Sequence, residues 1–112
     1  MSERLPTHVL VGALLRRVND AGGMAMVLAK GDADAGALLL ITGEKGQNYR
    51  ALERGVGPDG ASALVETGPS GADPTALTDY WQRRRTRDPD LWVIELDIAQ
   101  AERFAAETIG FY

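Results

Sequence analysis

The chain has 112 residues and a formal net charge of −4, and 45% of its residues are hydrophobic and 25% charged. These proportions are typical of one globular domain and exclude a disordered, highly charged chain. The chain contains no cysteine, which excludes disulfides, thiolate nucleophiles and sulfur-ligated metal centres.

The N-terminal region imitates a signal peptide, because Arg4 precedes the apolar residues 9–15. Arg16 and Arg17 interrupt this pattern, and no small-residue cleavage site follows. No apolar run approaches the ~20 residues that are needed to cross a bilayer. We therefore expect a cytoplasmic protein with no membrane partner.

Helical and extended patterns alternate in the first part of the chain. Apolar residues recur at helical spacing over residues 9–18, which predicts a helix with Thr7 as its N-cap and the glycine pair 22–23 at its end. Residues 24–30 are apolar and precede a cluster of turn-forming residues, which predicts a strand and a hairpin loop. Residues 36–42 form an unbroken apolar run that is typical of a central strand.

Two more turn signals follow this central strand. The glycine-rich segment 43–46 predicts a tight turn into a strand over residues 47–54. The Gly-Pro-Asp-Gly sequence at 57–60 predicts a second turn into a strand over residues 61–67. Three consecutive turn signals predict a four-stranded antiparallel meander.

The second part of the chain predicts a helix, a strand and a final helix. An Asp-Pro pair at 73–74 supplies an N-cap and a first helical residue, and a second Asp-Pro pair at 88–89 ends the helix. A strand over residues 91–96 and a helix over residues 98–108 complete the chain. We predict one α+β domain over residues 1–112, with the order α-β-β-β-β-α-β-α, a meander of about four strands plus a later fifth, and helices mainly on one face.

Three short sequence segments resemble those of a known family. They are ALLRR at residues 13–17, GDADAG at 31–36 and RDPDLWV at 87–93. Together they resemble a small alphaproteobacterial family known only as a domain of unknown function, DUF 1491. The resemblance covers most of the chain up to about Asp97. It implies a one-domain bacterial cytosolic protein, and it implies no catalytic residue.

Two acidic turns are candidates for chemistry. Asp32 and Asp34 resemble part of a calcium loop, but glycine stands at its fifth position instead of its sixth. Asp88 and Asp90 flank a proline in the second turn. The simplest interpretation is that these aspartates shape turns by accepting backbone hydrogen bonds. The alternative is a metal binder or metal-dependent enzyme, which requires all four carboxylates to meet in one cleft.

The candidate anion-binding group lies at the end of the second predicted helix and consists of Arg83, Arg84, Arg85 and Arg87. Tyr80 and Trp81 lie one turn earlier, and arginines beside aromatic rings are typical of sites for single-stranded nucleic acid. Cations also stabilise a helix C-terminus on their own, and the helical spacing places both rings on the buried stripe. Nucleic-acid or phosphate binding therefore stays an alternative to a solvated or protein-facing helix end.

The remaining features do not indicate catalysis. His8 has no nucleophile placed to form a triad, and the glycines match neither nucleotide-binding pattern. We therefore assign no catalytic residue, no cofactor and no metal. Trp92, in the predicted last strand, is typical of a core or interface anchor. The leading hypothesis is a non-catalytic interaction or accessory protein, a homodimer through a strand edge or the Trp92 region or a complex with another protein.

Overall fold

Three helices and five strands follow one another in the computed structural model of the chain, which describes residues 5–69, 71 and 73–109. They are α1 (Thr7–Asp20), β1 (Met24–Ala29), β2 (Leu38–Glu44), β3 (Gln47–Val56), β4 (Ser62–Thr67), α2 (Pro74–Arg87), β5 (Trp92–Asp97) and α3 (Ala101–Ile109). The predicted α+β class and the predicted element order are confirmed.

The strands form one mixed sheet in the order β1-β5-β2-β3-β4. The antiparallel hairpins β2–β3 and β3–β4 are formed as predicted, but β5 lies between β1 and β2, antiparallel to the first and parallel to the second. The predicted hairpin between β1 and β2 is therefore not formed, and the meander has three strands. A turn signal requires only that the chain reverses, and residues 30–37 are long enough to cross the ~10 Å between alternate strands.

Helices α1 and α3 pack on one side of the sheet, which we call the α1/α3 face. Leu14 and Val18 of α1 and Ala105 of α3 are fully buried there, in one cluster with Leu40 of β2 and Ile94 of β5. Leu14 and Val18 are four residues apart, which is the spacing of one helical stripe. Two of the three described helices thus share a face, as predicted.

Helix α2 covers the opposite side of the sheet, which we call the α2 face, and packs mainly against β3. Leu77 of α2 belongs to a buried cluster with Leu39 of β2 and Val93 of β5. Because successive strand residues point to opposite faces, β2 and β5 are buried on both sides. This explains their unbroken apolar sequences.

The predicted cap of α2 is confirmed, but that of α1 is wrong. Asp73 accepts a hydrogen bond from the Ala76 N–H at 2.9 Å, and Pro74 is the first helical residue. At α1 the N-cap position is Pro6, which provides no side-chain acceptor, and Thr7 lies inside the helix and is buried. The acceptors for this helix start come from elsewhere in the chain, as described below.

Helix α3 is shorter than the predicted helix over residues 98–108. Gln100 has a left-handed φ of 59°, and its carbonyl accepts hydrogen bonds from the N–H groups of Arg103 and Phe104 at 2.9 and 3.2 Å. Ile98 precedes the helix and packs against the core of the α1/α3 face. Its helical spacing therefore reflects burial beside the helix.

Candidate interaction surface

The two acidic turns lie side by side where β2 and β5 begin. The first is the β1–β2 loop, residues 30–37, and its Asp32 N–H donates to the Asp90 carbonyl of the second at 3.0 Å. A Cβ at Gly31 or Gly36 would lie only 2.0 or 2.2 Å from that carbonyl oxygen. Both glycines are therefore required by the close packing of the two loops.

The aspartate side chains act locally in these turns. Asp32 Oδ2 accepts from the N–H groups of Asp34 and Ala35 at 3.2 and 2.8 Å, and Asp88 Oδ1 accepts from the Asp90 N–H at 3.1 Å. All four aspartates are exposed. In the described part of the chain, no three His, Cys, Asp or Glu residues form a group that could hold a metal ion. The loops meet through their backbones, without a metal-binding set of carboxylates.

The β1–β2 loop also caps α1. The N–H groups of Thr7 and His8 donate to the carbonyls of Asp34 and Ala33 at 3.1 and 2.9 Å, and the Thr7 hydroxyl donates to the Gly36 carbonyl at 2.7 Å. These carbonyls satisfy donors that a helix start leaves unpaired. Thr7 and His8 therefore fix the loop against the start of α1, and His8 does so through its backbone N–H.

Trp92, the candidate interface residue, is part of the core. Only 4% of its surface is exposed, and its indole N–H donates to the Asp32 carbonyl at 2.7 Å. The ring is buried with the residues of the α1/α3 face. Trp92 therefore joins the β1–β2 loop to the sheet, and its ring is not presented to a partner in this fold.

The arginines of α2 divide into an engaged pair and an exposed pair, and Arg84 belongs to the first. It donates to both carboxylate oxygens of Glu53, at 2.6 and 3.2 Å, and to the Tyr80 hydroxyl at 2.8 Å. Burial alone would raise the pKa of Glu53, but hydrogen bonds from Arg84 and Thr67 outweigh it and hold this pKa below its ordinary value. Arg84 therefore ties α2 to β3.

Arg85 is the other engaged arginine. Its Nη1 donates to the Leu91 carbonyl at 3.0 Å and to the Pro89 carbonyl, so it closes the turn between α2 and β5. Arg83 and Arg87 are exposed and lie four residues apart on one side of the helix. The predicted anion-binding group is therefore reduced to two exposed guanidinium groups.

An apolar edge of the sheet is exposed along β1. Met24 is 65% exposed, Met26 53% and Val27 37%. Met24 and Met26 stand opposite Asp97 and Glu95 of β5, so both methionines point to the α2 face. All six residues of β1 are uncharged. The strand therefore combines an outer backbone edge with exposed apolar side chains, and we call it the β1 edge.

The α2 face is only partly covered beside the β1 edge. A cavity of about 180 Å³ lies there between α2 and the sheet, with Leu28 and Trp81 in its walls. The Tyr49 hydroxyl donates to Glu95 Oε2 at 3.2 Å in the same place. Burial raises the pKa of Tyr49, and the nearby charges of Glu95 and Asp97 raise it further. The apolar surface of the β1 edge thus continues toward α2.

The β1 edge is not recognisable from the sequence as a functional candidate. Its signal was the absence of charge over residues 24–29, combined with methionines at alternate positions. The same pattern is typical of a strand buried on both faces. Only the position of β5 in the sheet shows that this strand has an open side.

The fold is similar to those of known structures. The crystal structure of a DUF1491 family protein from Caulobacter crescentus CB15 is 32% identical, with 90% of this chain and 94% of that chain covered and a TM-score of 0.76. The NMR structure of a DUF1491 family protein from Caulobacter crescentus CB15 is 31% identical, with 92% of this chain and 94% of that chain covered and a TM-score of 0.75. The solution structure of protein Atu0922 from A. tumefaciens is 25% identical, with 86% of this chain and 87% of that chain covered and a TM-score of 0.67.

The family is established at the level of sequence as well. No curated protein matches the chain. None of the helices in the described ranges combines the length and the apolar character needed to span a membrane. Residues 5–106 match the family described as "Protein of unknown function (DUF1491)". The chain belongs to the DUF1491 family.

Proposed function

We propose that the chain is a non-catalytic interaction domain that forms a homodimer through the β1 edge. The observation that carries the proposal is the exposure of Met24 and Met26 on an uncharged edge strand. Edge strands offer unpaired backbone groups to other strands, and natural proteins commonly protect them with charges. An edge without charges, bordered by exposed methionines, is suited to pairing.

Two copies would pair with their β1 strands antiparallel. A two-fold axis perpendicular to the sheet keeps the side chains of both copies on the same face. Met24 and Met26 of one copy would then lie beside those of the other, on the α2 face. The register of β1 shifts between Val27 and Ala29, so the regular pairing surface is residues 24–27.

Charges at the two ends of β1 support this orientation. Asp20 ends α1 shortly before the strand, and Lys30 follows the strand directly; both are exposed. Antiparallel pairing brings the beginning of one strand beside the end of the other. Lys30 of each copy would therefore approach Asp20 of the other, which favours antiparallel association over parallel association.

The two alternative functions, anion binding at the end of α2 and metal binding in the acidic turns, have less support. Arg84 and Arg85 bind groups of this chain, so only Arg83 and Arg87 of the predicted anion-binding group are exposed. Asp32 and Asp88 accept backbone hydrogen bonds within their own turns. A cytoplasmic setting is part of the proposal and rests on the sequence features given above.

Cysteine cross-linking tests the proposal directly, because the natural chain has no cysteine. Single substitutions to cysteine at 24, 25, 26 and 27 scan the β1 edge, and Ala63→Cys on β4 is the matched control. Opposite residues in antiparallel strands have Cα atoms about 4.5–5.5 Å apart, which suits a disulfide.

One β1 position, the one on the two-fold axis, should form covalent dimers much faster than Ala63→Cys. Light scattering over a concentration series should show the same dimer in the unmodified chain. A monomer at every concentration, or equally slow cross-linking on both edges, would eliminate the proposal.

A further inference from the structure

The cavity between α2 and the sheet has apolar, aromatic and acidic walls. Its volume of about 180 Å³ is smaller than the sites of drug-sized ligands, so it suits a compact group. Aliphatic side chains from β1, β2 and α2 form the apolar part of the wall, namely Leu28, Ile41 and Leu77. The aromatic side chains in the wall are Tyr49 of β3 and Trp81 of α2, and both are half-buried.

Tyr49 reaches Glu95 across β2, because a glycine lies between them. A Cβ at Gly43 would lie 2.6 Å from two ring carbons of Tyr49, so the ring lies directly over this glycine. From there the Tyr49 hydroxyl donates to Oε2 of Glu95 on β5 at 3.2 Å. The close approach that Gly43 allows therefore places a ring and a carboxylate side by side in the cavity wall.

Glu95 brings a negative charge to this wall. It is the only charged residue among the described residues that line the cavity, and it forms no ion pair within the described part of the chain. Its side chain is half-buried, so water screens its charge less than that of a fully exposed carboxylate. The positive end of the α2 dipole lies at Pro74, but the Asp73 carboxylate caps it and offsets it. The cavity therefore favours a cation.

We propose that this cavity binds a quaternary ammonium group, with its methyl groups against the apolar and aromatic walls and its charge beside Glu95. Aromatic faces attract such cations, and the attraction grows when water is excluded. A primary ammonium fits less well, because its N–H donors need acceptors that the apolar walls do not supply. The pairing segment of the β1 edge, residues 24–27, lies outside the cavity wall, so the proposal is independent of dimerisation.

Choline and its neutral isostere dimethylbutanol, in which a tert-butyl group replaces the trimethylammonium group, form a matched pair of probes. They have the same shape, and only choline is charged. Titration of isotope-labelled protein followed by NMR should shift the indole N–H signal of Trp81. The indole of Trp92, bound to the Asp32 carbonyl and buried on the α1/α3 face, should stay unchanged as an internal reference. Choline should bind about tenfold more tightly than its isostere.

Ethanolamine tests the contribution of the methyl groups. It has the same charge and the same hydroxyl group as choline, but its nitrogen carries N–H donors in place of methyl groups. We expect it to bind more weakly than choline, because it loses the contacts with the apolar walls and leaves donors without acceptors.

Two variants separate the charge from the ring. Glu95→Gln keeps the shape of the wall and an acceptor for Tyr49, and it should weaken choline binding by about tenfold while leaving the isostere unchanged. Asp59→Asn removes the same charge from the turn between β3 and β4, and as the matched control it should change neither. Trp81→Leu keeps the wall apolar and should reduce the preference for choline over the isostere, with the Leu28 amide as the reporter. The test therefore stands even if Glu95→Gln disturbs β5.

Light scattering of the same samples measures dimerisation separately, so a failure of one proposal is not mistaken for a failure of the other. Equal affinity for choline and its isostere, tighter binding of ethanolamine than of choline, signal shifts confined to another surface, or no shifts at tens of millimolar choline would overturn the proposal.

Discussion

The two edges of the sheet differ in how they are protected. On β4, Glu66 pairs with Arg50 of β3 at 3.6 Å, and the Thr67 hydroxyl donates to Glu53 at 2.9 Å. On β1, every residue is uncharged, and Met24 is 65% exposed. Charged and polar groups on an edge hinder pairing with another chain, and β1 lacks them. The β4 edge therefore carries charged and polar side chains, whereas the β1 edge carries none.

One protective feature is present on β1. The register shift between Val27 and Ala29 disturbs the regular ladder at the end of the strand. Bulges of this kind bend an edge and limit the length that can pair. The available edge is therefore short, which favours a defined dimer over open-ended aggregation.

The largest expected effect comes from placing a charge on the open edge. Met26→Lys sets two like charges close together in a symmetric dimer, at a cost of several kcal/mol. We expect light scattering to show a monomer at concentrations where the unmodified chain is a dimer. Ala63→Lys makes a comparable change on β4 and should leave the dimer intact. Equal effects of the two substitutions would remove the distinction between the edges.

A smaller effect is expected where α2 packs against β3. Arg84→Ala leaves Glu53 half-buried without its ion pair and should lower the free energy of unfolding by about 1–3 kcal/mol. Arg83→Ala, one residue away and exposed, should change it by less than about 0.5 kcal/mol. Urea denaturation of both variants measures the difference, and similar losses would contradict the assignment of Arg84 as the engaged arginine.

The same ion pair predicts a pH dependence. The folded-state pKa of Glu53 is lowered from its ordinary value of 4.5, so the unfolded chain binds the proton more tightly. The stabilising contribution is present above about pH 4.5 and is lost as the pH falls through the lower folded-state pKa. Glu53→Gln should therefore flatten the loss of stability in this acidic range. Denaturation curves of both proteins between neutral and acidic pH provide the test, and parallel profiles would refute it.

The smallest effect concerns the charges at the ends of β1. Lys30→Glu should weaken the dimer by about 0.2–1 kcal/mol for each exposed pair lost, together with repulsion from Asp20. Asp20→Lys in the same chain should restore the affinity by reversing both charges. Sedimentation at low and high salt measures the change, which salt should reduce. A double variant no tighter than Lys30→Glu would argue against antiparallel pairing.

Local signals in the sequence predicted the start of α2 but not the cap of α1. Asp73 and Pro74 indicated the start of α2, because an N-cap acceptor and the fixed φ of proline affect only the neighbouring residues of the chain. Arg84 also had a readable signal: it stands seven residues after Leu77, on the same helical stripe that packs on the sheet. The pairing of Arg84 with Glu53 could not be predicted, because the contact joins residues far apart in the chain.

Long-range pairing limited the rest of the prediction. Nothing in residues 24–29 reveals that β5, formed much later in the chain, takes the place beside β2. In the predicted four-stranded meander β1 is the first strand, but the sequence does not show whether β5 pairs on its outer side or elsewhere in the sheet. The candidate surface therefore depends on topology, whereas the predicted candidates were turns and helix ends that the chain uses for its own structure.

Hydrogen exchange of the β1 amides tests the central claim most directly. We expect the amides on the outer side of residues 24–27 to exchange rapidly in dilute solution and to become protected as the concentration rises, while the amides of β4 stay unchanged. Protection of β1 that does not depend on concentration, or an equal rise on both edges, would contradict the conclusion that the β1 edge binds a second copy of this chain.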